Sequence, residues 1–510
     1  MKVHSSGLVR LALVAGATLA LFVLGLSSTA DASFAPAPSV RAGDIFGSDV
    51  AAGKAEPPPP VKLSGAKKDS RAADSCEPQA LRAAATKAEP LTAEVAEKIG
   101  DSELAGGRGV SCVKPVLAGA TGRSERDAML AAQKRKAPGT VEASRRAATG
   151  LKDPSTTEVV DIPEWCLEHA DGQWRGYRTE QCRIGDVLVV YYVYHNGVWQ
   201  QVGTALALEY SFAYTSDLID RYAFQLTVRK YWGRGAGNFE GWFSVVAGAY
   251  CTNDCKESNG GTGLRPGRFD RGVVNDAESY WESTRSSEPG DIGYSYPSWE
   301  WHVDGLGFVP TQARTTTTPL IRCDNAFSTD GNESGDPETF AARQPTVGAG
   351  CVFPRATPVM TYSKTGSYPT LAAHIEAAQN SGLPGKYPDG PTLTRLQDPV
   401  KKRANGRTAC PPSWVRPTGK SCDEYPFRST KQGASTQEPQ GTARTFAPPD
   451  LAWCEMDSAW GVPTGVTGPT GWSSCMIPKD DNSQGGAQLS PFYHGNRILD
   501  GDPFLVRITS

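Results

Sequence analysis

The chain has 510 residues, with 52 Lys and Arg against 55 Asp and Glu and a formal net charge of −3, so it is too long for one small module and its global charge names no partner. At 39 % hydrophobic and 21 % charged, with 54 Gly and 38 Pro in no repeating period, it is neither collagenous nor disordered throughout. Loop-rich globular domains joined by linkers are expected.

Arg10 precedes the uncharged run Leu11 to Leu26, and the small-residue triplet Ala30-Asp31-Ala32 follows. That order reads as a secretory signal peptide over residues 1–32, cleaved after Ala32, and so as a secreted, extracellular protein. The run is shorter than the ~20 residues that span a bilayer; the competing reading is an uncleaved anchor, and no other segment could cross a membrane. Twelve cysteines in close pairs on an exported chain read as disulfide staples rather than metal thiolates. Proximity pairs Cys76 with Cys112, Cys166 with Cys182, Cys251 with Cys255, Cys323 with Cys351, Cys410 with Cys422, and Cys454 with Cys475. No second Cys or His pair stands at zinc-ribbon spacing from Cys251 and Cys255.

Residues 33–159 read as a low-complexity spacer or pro-region. Up to about residue 75 the segment is Pro- and Ala-rich, with Pro57 to Pro60 in a row and almost no large apolar residues, so it is expected to be extended and disordered. From Pro78 to Thr149 it is rich in Ala, Lys, Arg and Glu, which suits short helices without a sustained apolar stripe.

Residues 160–350 hold eight of the 12 Trp and 12 of the 17 Tyr. Leu206, Leu208, Tyr210, Phe212 and Tyr214 alternate with small or polar residues, and Tyr222, Phe224, Leu226 and Val228 repeat that period after a short connection, which predicts a hairpin. Val187 to Tyr194 and Gly241 to Tyr250 add strands on either side, giving a β-rich antiparallel sandwich or partly open barrel. Its tryptophans read as core residues or as a platform for cell-wall or other glycans.

In residues 352–510, Pro358 to Tyr362 reads as a strand and Tyr368 to Gln379 as a helix whose Leu371, Ile375 and Ala378 share a face. Phe504, Val506 and Ile508 alternate along a final strand. The unit is expected to be a compact α+β fold.

Its chemistry centres on Cys422-Asp423-Glu424-Tyr425-Pro426-Phe427. Pro426 excludes helix and favours an extended Tyr425, so Asp423 should share a face with Tyr425 and Phe427 while Glu424 points the other way. A carboxylate on aromatic surface has its pKa raised and suits a general base, whereas a solvated one stays anionic and can hold a cation. The alternative is a solvated turn after a disulfide. In a second cluster, Asp480 to Gly486, Asn482 is followed by Leu489, Phe492, Tyr493 and Asn496 at helical spacing. Asn496 is then an inward-pointing hard-cation ligand or a helix cap. Lys401, Lys402, Arg403, Arg407, Arg416, Lys420, Arg428 and Lys431 surround the acidic pair, a lining that would attract a polyanion.

At these residues the chain resembles the NucA/NucB family of secreted bacterial deoxyribonucleases. The matching blocks are Cys422 to Thr430 with Gly433, Asn482 to Gly486, Phe492-Tyr493 and Asn496 to Phe504, and the likeness covers about residues 352–510 and none of the chain before them. It implies a small endonuclease, dependent on Mg2+ or Mn2+ and related in layout to ββα-metal nucleases, with a carboxylate where those usually carry a histidine base. No histidine lies between His374 and His494. Asp423 is then the candidate base, with Glu424 and Asn496 or Asn482 as the metal shell, though either member of each pair could take either part. Arg428 would clamp the phosphate bidentately, and Arg407, Lys420, Lys431, Gln484 and Arg497 would contact DNA. His494 is an alternative player or an exposed helical histidine.

The function expected is a secreted, sequence-non-specific, metal-dependent endodeoxyribonuclease acting on extracellular DNA. The competitor is a non-catalytic envelope or glycan-binding protein with an inactive C-terminal unit.

Overall fold

Apolar and polar residues alternating at a period of two build long strands in the middle of the chain. The structure, a computed structural model, describes residues 46–52, 54–56, 58–63, 76–138, 159–258, 264–288, 290–326, 348–437, 445–446, 453–463, 465 and 468–510. The expected signal peptide lies outside the described residues, as does part of the expected spacer. Among the described residues no helix is long and apolar enough to cross a membrane.

Strands β1 (Arg108–Val116), β2 (Glu180–His195), β3 (Val198–Thr215), β4 (Arg221–Gly235), β5 (Ser244–Asn253), β6 (Asn275–Ser283) and β7 (Ile292–Asp304) form the body of the β-rich region. In the first sheet β1 pairs β2, β2 pairs β3, β3 pairs β4 and β4 pairs β6, all antiparallel. The expected hairpin is β3–β4. In the second sheet β7 pairs antiparallel with β5, Arg314–Thr317 and Ile321–Asp324. One buried cluster draws on both sheets, with Val189, Tyr191, Phe224 and Leu226 from one and Val245, Trp299, Trp301 and Val303 from the other. Trp165, Trp174, Trp281, Trp299 and Trp301 are all buried, so the core reading of these aromatics holds for them and they present nothing to a glycan.

The expected spacer is partly built into this fold. Helices Pro78–Ala85 and Ala93–Ile99 precede β1, whose register with β2 runs from Arg108 opposite Tyr194 to Val116 opposite Asp186. Val110, Cys112 and Val113 are buried, and the Cys76–Cys112 disulfide anchors the segment. The β domain therefore begins well before residue 160; a strand with so few large apolar residues, between polar helices, is too weak a periodic signal to find alone. Nearer the N-terminus Phe46 and Asp49 are also buried. Asp49 accepts from the backbone N–H groups of Ser363 and Ser367, each at 2.9 Å.

The C-terminal unit has its own core. Strand β8 (Val359–Ser363) pairs parallel with β11 (Pro503–Thr509), and α1 (Pro369–Asn380) packs its Leu371, Ile375 and Ala378 into a cluster with Tyr425, Phe492, Phe504 and Val506. Helix α2 (Pro399–Ala409) leads to strand β9 (Lys420–Tyr425), which pairs antiparallel with β10 (Trp472–Pro478). Helix α3 (Lys479–Ala487) follows β10 directly, and α4 (Leu489–Gly495) comes after it. All twelve cysteines are paired with the partners that proximity gives, as expected of an oxidising compartment.

Buried charge joins the β domain to the C-terminal unit. Arg497, 0 % exposed, bonds Asp324 at 2.6 Å and the carbonyls of Asp217 at 2.6 Å and Asp324 at 2.7 Å. Arg178 and Arg322 both reach Asp502, at 2.6 and 2.8 Å, and burial with the like charge of Arg322 lowers Arg178 to about 10. Arg497 is therefore an internal tie and cannot face DNA. Removing one partner of a buried pair leaves the other uncompensated, so Arg497→Ala should cost about 3–5 kcal/mol, readable as a lowered urea midpoint; an exposed DNA-contacting arginine would cost within about 0.5 kcal/mol.

Candidate functional site

Extended backbone at β9 separates the two neighbouring acids as their alternation requires. Asp423 and Tyr425 face α1, where Tyr425 Oη accepts from Gln379 Nε2 at 3.1 Å and donates to the Pro384 carbonyl at 2.7 Å. Asp423 Oδ2 lies 2.5 Å from His374 Nδ1, and His374 Nε2 lies 2.8 Å from Ser473 Oγ on β10. A carboxylate only accepts, so Nδ1–H donates to Asp423. His374 is fully buried, while the Asp423 side chain keeps 8 % of its surface exposed. The carboxylate is thus the outward end of a buried relay.

His374 is the residue that the sequence reading missed. It lies 49 positions from Asp423, yet a signal existed: with Leu371, Ile375 and Ala378 it completes an i, i+3, i+4, i+7 stripe, and a histidine on an otherwise apolar face requires a polar partner. The Ser473–His374–Asp423 order has the connectivity of a hydrolytic triad. Ser473 is 0 % exposed within a paired strand, so it cannot reach a substrate and serves to hold the imidazole.

Glu424 faces the other way. Its Oε2 is 3.8 Å from Sγ of Cys410, in the disulfide that joins the end of α2 to β9. Loss of solvent, followed by the charge of Asp423, pushes its pKa up to about 8, with Arg428 and its backbone N–H pulling the other way. The expectation was that the acid on aromatic surface would be raised and the other would stay anionic. Glu424, expected to be solvated, is the acid whose charge is disfavoured, because packing against the disulfide removes water from it. Strand β9 is the outer strand of its three-stranded sheet, so its two faces meet along one edge.

The expected metal shell does not assemble. Asn482 on α3 donates to Ser421 Oγ at 2.9 Å and the Cys422 carbonyl at 2.8 Å, and Ser421 shares the face of Asp423 rather than that of Glu424. Asn496 caps α4, donating to the Phe492 carbonyl at 2.9 Å, while its own carbonyl accepts from Arg178 in the domain joint. The cap reading is the one realised. Among the described residues no three His, Cys, Asp or Glu side chains converge to hold a metal ion.

The remaining expected contacts differ in exposure and pairing. Arg407, Arg428 and Gln484 are exposed, Lys420 pairs with Glu455 at 2.7 Å and Lys431 with Asp500 at 3.3 Å. His494 is not exposed: it is 5 % accessible, hydrogen-bonds the Ser490 carbonyl at 2.8 Å, and burial lowers it to about 3. Asp481 accepts from Thr370 N at 2.9 Å and Oγ1 at 2.6 Å, fixing the start of α1 against α3. Gly485 permits that contact, since a Cβ there would come within 2.4 Å of Leu371 Cδ2.

No family model, curated protein or solved structure matches the chain. A carboxyl raised from 4.5 to about 8 holds a proton in the folded chain across an interval where the unfolded chain has lost it, so stability is highest below that interval and falls as pH rises through it. Glu424→Gln should flatten this slope when the urea midpoint is followed across the same interval; an unchanged slope would contradict the raised pKa.

Proposed function

We propose that the protein is a secreted endonuclease that hydrolyses phosphodiester bonds of extracellular DNA through the edge of strand β9. The observation that carries this reading is the His374–Asp423 hydrogen bond, which holds one carboxylate oxygen and leaves the other without a hydrogen bond among the described residues. Support also comes from the antiparallel β9–β10 pair running straight into α3, and from the exposed cations Lys401, Arg403, Arg407 and Arg428 beside it.

Asp423 takes the proton of the attacking water on its outward oxygen, while the Nδ1–H of His374 holds the other oxygen and fixes the orientation of the carboxylate. Glu424, neutral below about 8, donates a proton to the leaving 3′-oxygen. Arg428 binds two phosphate oxygens with its planar fork. Of the expected shell only Asn482 reaches the strand on the Asp423 face, so Mg2+ or Mn2+ would have to arrive with the phosphate, where it would supply positive charge. Contacts to phosphate rather than to base edges give little sequence preference.

Plasmid nicking tests the reading. Asp423→Ala and Glu424→Ala should each lose about 10²-fold or more in rate, EDTA should stop cleavage by the wild type, and the wild-type rate should fall as pH rises past about 8. Undiminished cleavage in both variants would remove the site. Absence of cleavage by the wild type with Mg2+ or Mn2+, together with binding to glycan polymers, would favour a non-catalytic envelope protein.

A further inference from the structure

Two disulfide-closed loops leave the β9–β10 pair from opposite faces and meet at a pair of tryptophans. Cys422, on the Glu424 face of β9, closes the loop from Cys410 that carries Trp414. Cys475, which stands opposite Asp423 in the strand register, closes the loop from Cys454 that carries Trp460. The two indoles stack with centroids 4.9 Å apart and planes 8° from parallel. Both are only partly buried, and since each has one face against the other, the remaining exposure lies on the outer faces and edges.

Local contacts hold the arrangement in place. Trp414 N–H donates to the Pro411 carbonyl at 3.1 Å. Arg416 donates to the carbonyls of Trp414 at 2.6 Å, Pro411 at 3.0 Å and Cys410 at 3.2 Å. Trp414 is four residues from Cys410, hence no more than about 14 Å along the chain from the sulfur that touches Glu424. Helix α2, which ends beside Cys410, exposes Lys401, Arg403 and Arg407, and its Asn405 donates to the carbonyl of the exposed Arg428 at 3.0 Å. Aromatic faces beside a run of cations match a polyanion whose bases are free to stack, whereas a base-paired duplex offers stacking faces only at its ends.

We infer that the Trp414–Trp460 stack is a binding platform for single-stranded nucleic acid, taking an unpaired base on the indoles while the backbone follows the cations toward β9. This rests on the nuclease reading for its purpose but on separate residues for its binding. The reaction site would then be supplied with frayed or single-stranded DNA in preference to closed duplex.

The test is fluorescence anisotropy of the full chain, in EDTA so that nothing is cleaved, with a dye-labelled twelve-nucleotide oligothymidylate and with a duplex of equal length. Trp414→Ala and Trp460→Ala should each weaken oligothymidylate binding about ten-fold, duplex binding should change less, and Trp460→Phe should restore most of the loss. Near-ultraviolet circular dichroism of each variant reports whether the fold outside the indole pair is intact. Equal affinity of folded alanine variants and wild type would overturn the platform, as would wild-type binding to glycan polymers in place of the oligonucleotide. If no plasmid is nicked but the alanine variants still lose oligothymidylate affinity, the nuclease reading fails and the platform stands.

Discussion

A slip of one residue between β9 and β10 would exchange the surroundings of Asp423 and Glu424. Successive side chains of a strand leave on opposite faces, so these two acids, although neighbours in the chain, cannot share an environment. The register that pairs Asp423 with Cys475 sends one acid to a buried imidazole and the other to a disulfide and an arginine. Disulfides at Cys422 and Cys475 tie each strand to a loop and make such a slip costlier still. Everything proposed for the site follows from this separation, because it gives two chemically similar groups different neighbours, an imidazole for Asp423 and, for Glu424, a disulfide with the burial that raises its pKa.

The second constraint is the joint between the β domain and the C-terminal unit. Buried arginines and carboxylates cross it, and a buried charge tolerates little movement unless its partners move with it. Arg178 donates to the Asn496 carbonyl at the end of α4 and to Asp502 just before β11. The β domain thus holds both ends of the connection between α4 and the last strand of the C-terminal unit, which is a structural role for residues that carry no chemistry of their own.

Elements with a strong local period were legible in the sequence: the β3–β4 hairpin, helix α1, and the terminal strand with Phe504 and Val506 inward. So was the opposed facing of Asp423 and Glu424, because Pro426 and strand alternation act locally. What escaped depends on contacts distant in sequence. His374 meets Asp423 only when α1 folds across β9. The blocks that carry the family likeness also contain Asn496 and Arg497, and there the structure gives a helix cap and a buried tie. A sequence block cannot distinguish a residue kept for a ligand from one kept for the fold, whereas burial can. The β1 segment was missed for a related reason: its few apolar positions gain meaning only beside β2.

The account's central claim, that one strand gives its two neighbouring acids unlike surroundings, is tested most directly by carbon-13 NMR of glutamate side-chain carboxyls, with Glu424→Gln to assign the signal. The account predicts that the Glu424 carbon titrates near 8, apart from the exposed glutamates, and moves toward them when Asp423→Asn removes the adjacent charge. A Glu424 signal that titrates with the exposed glutamates in the wild type would contradict it.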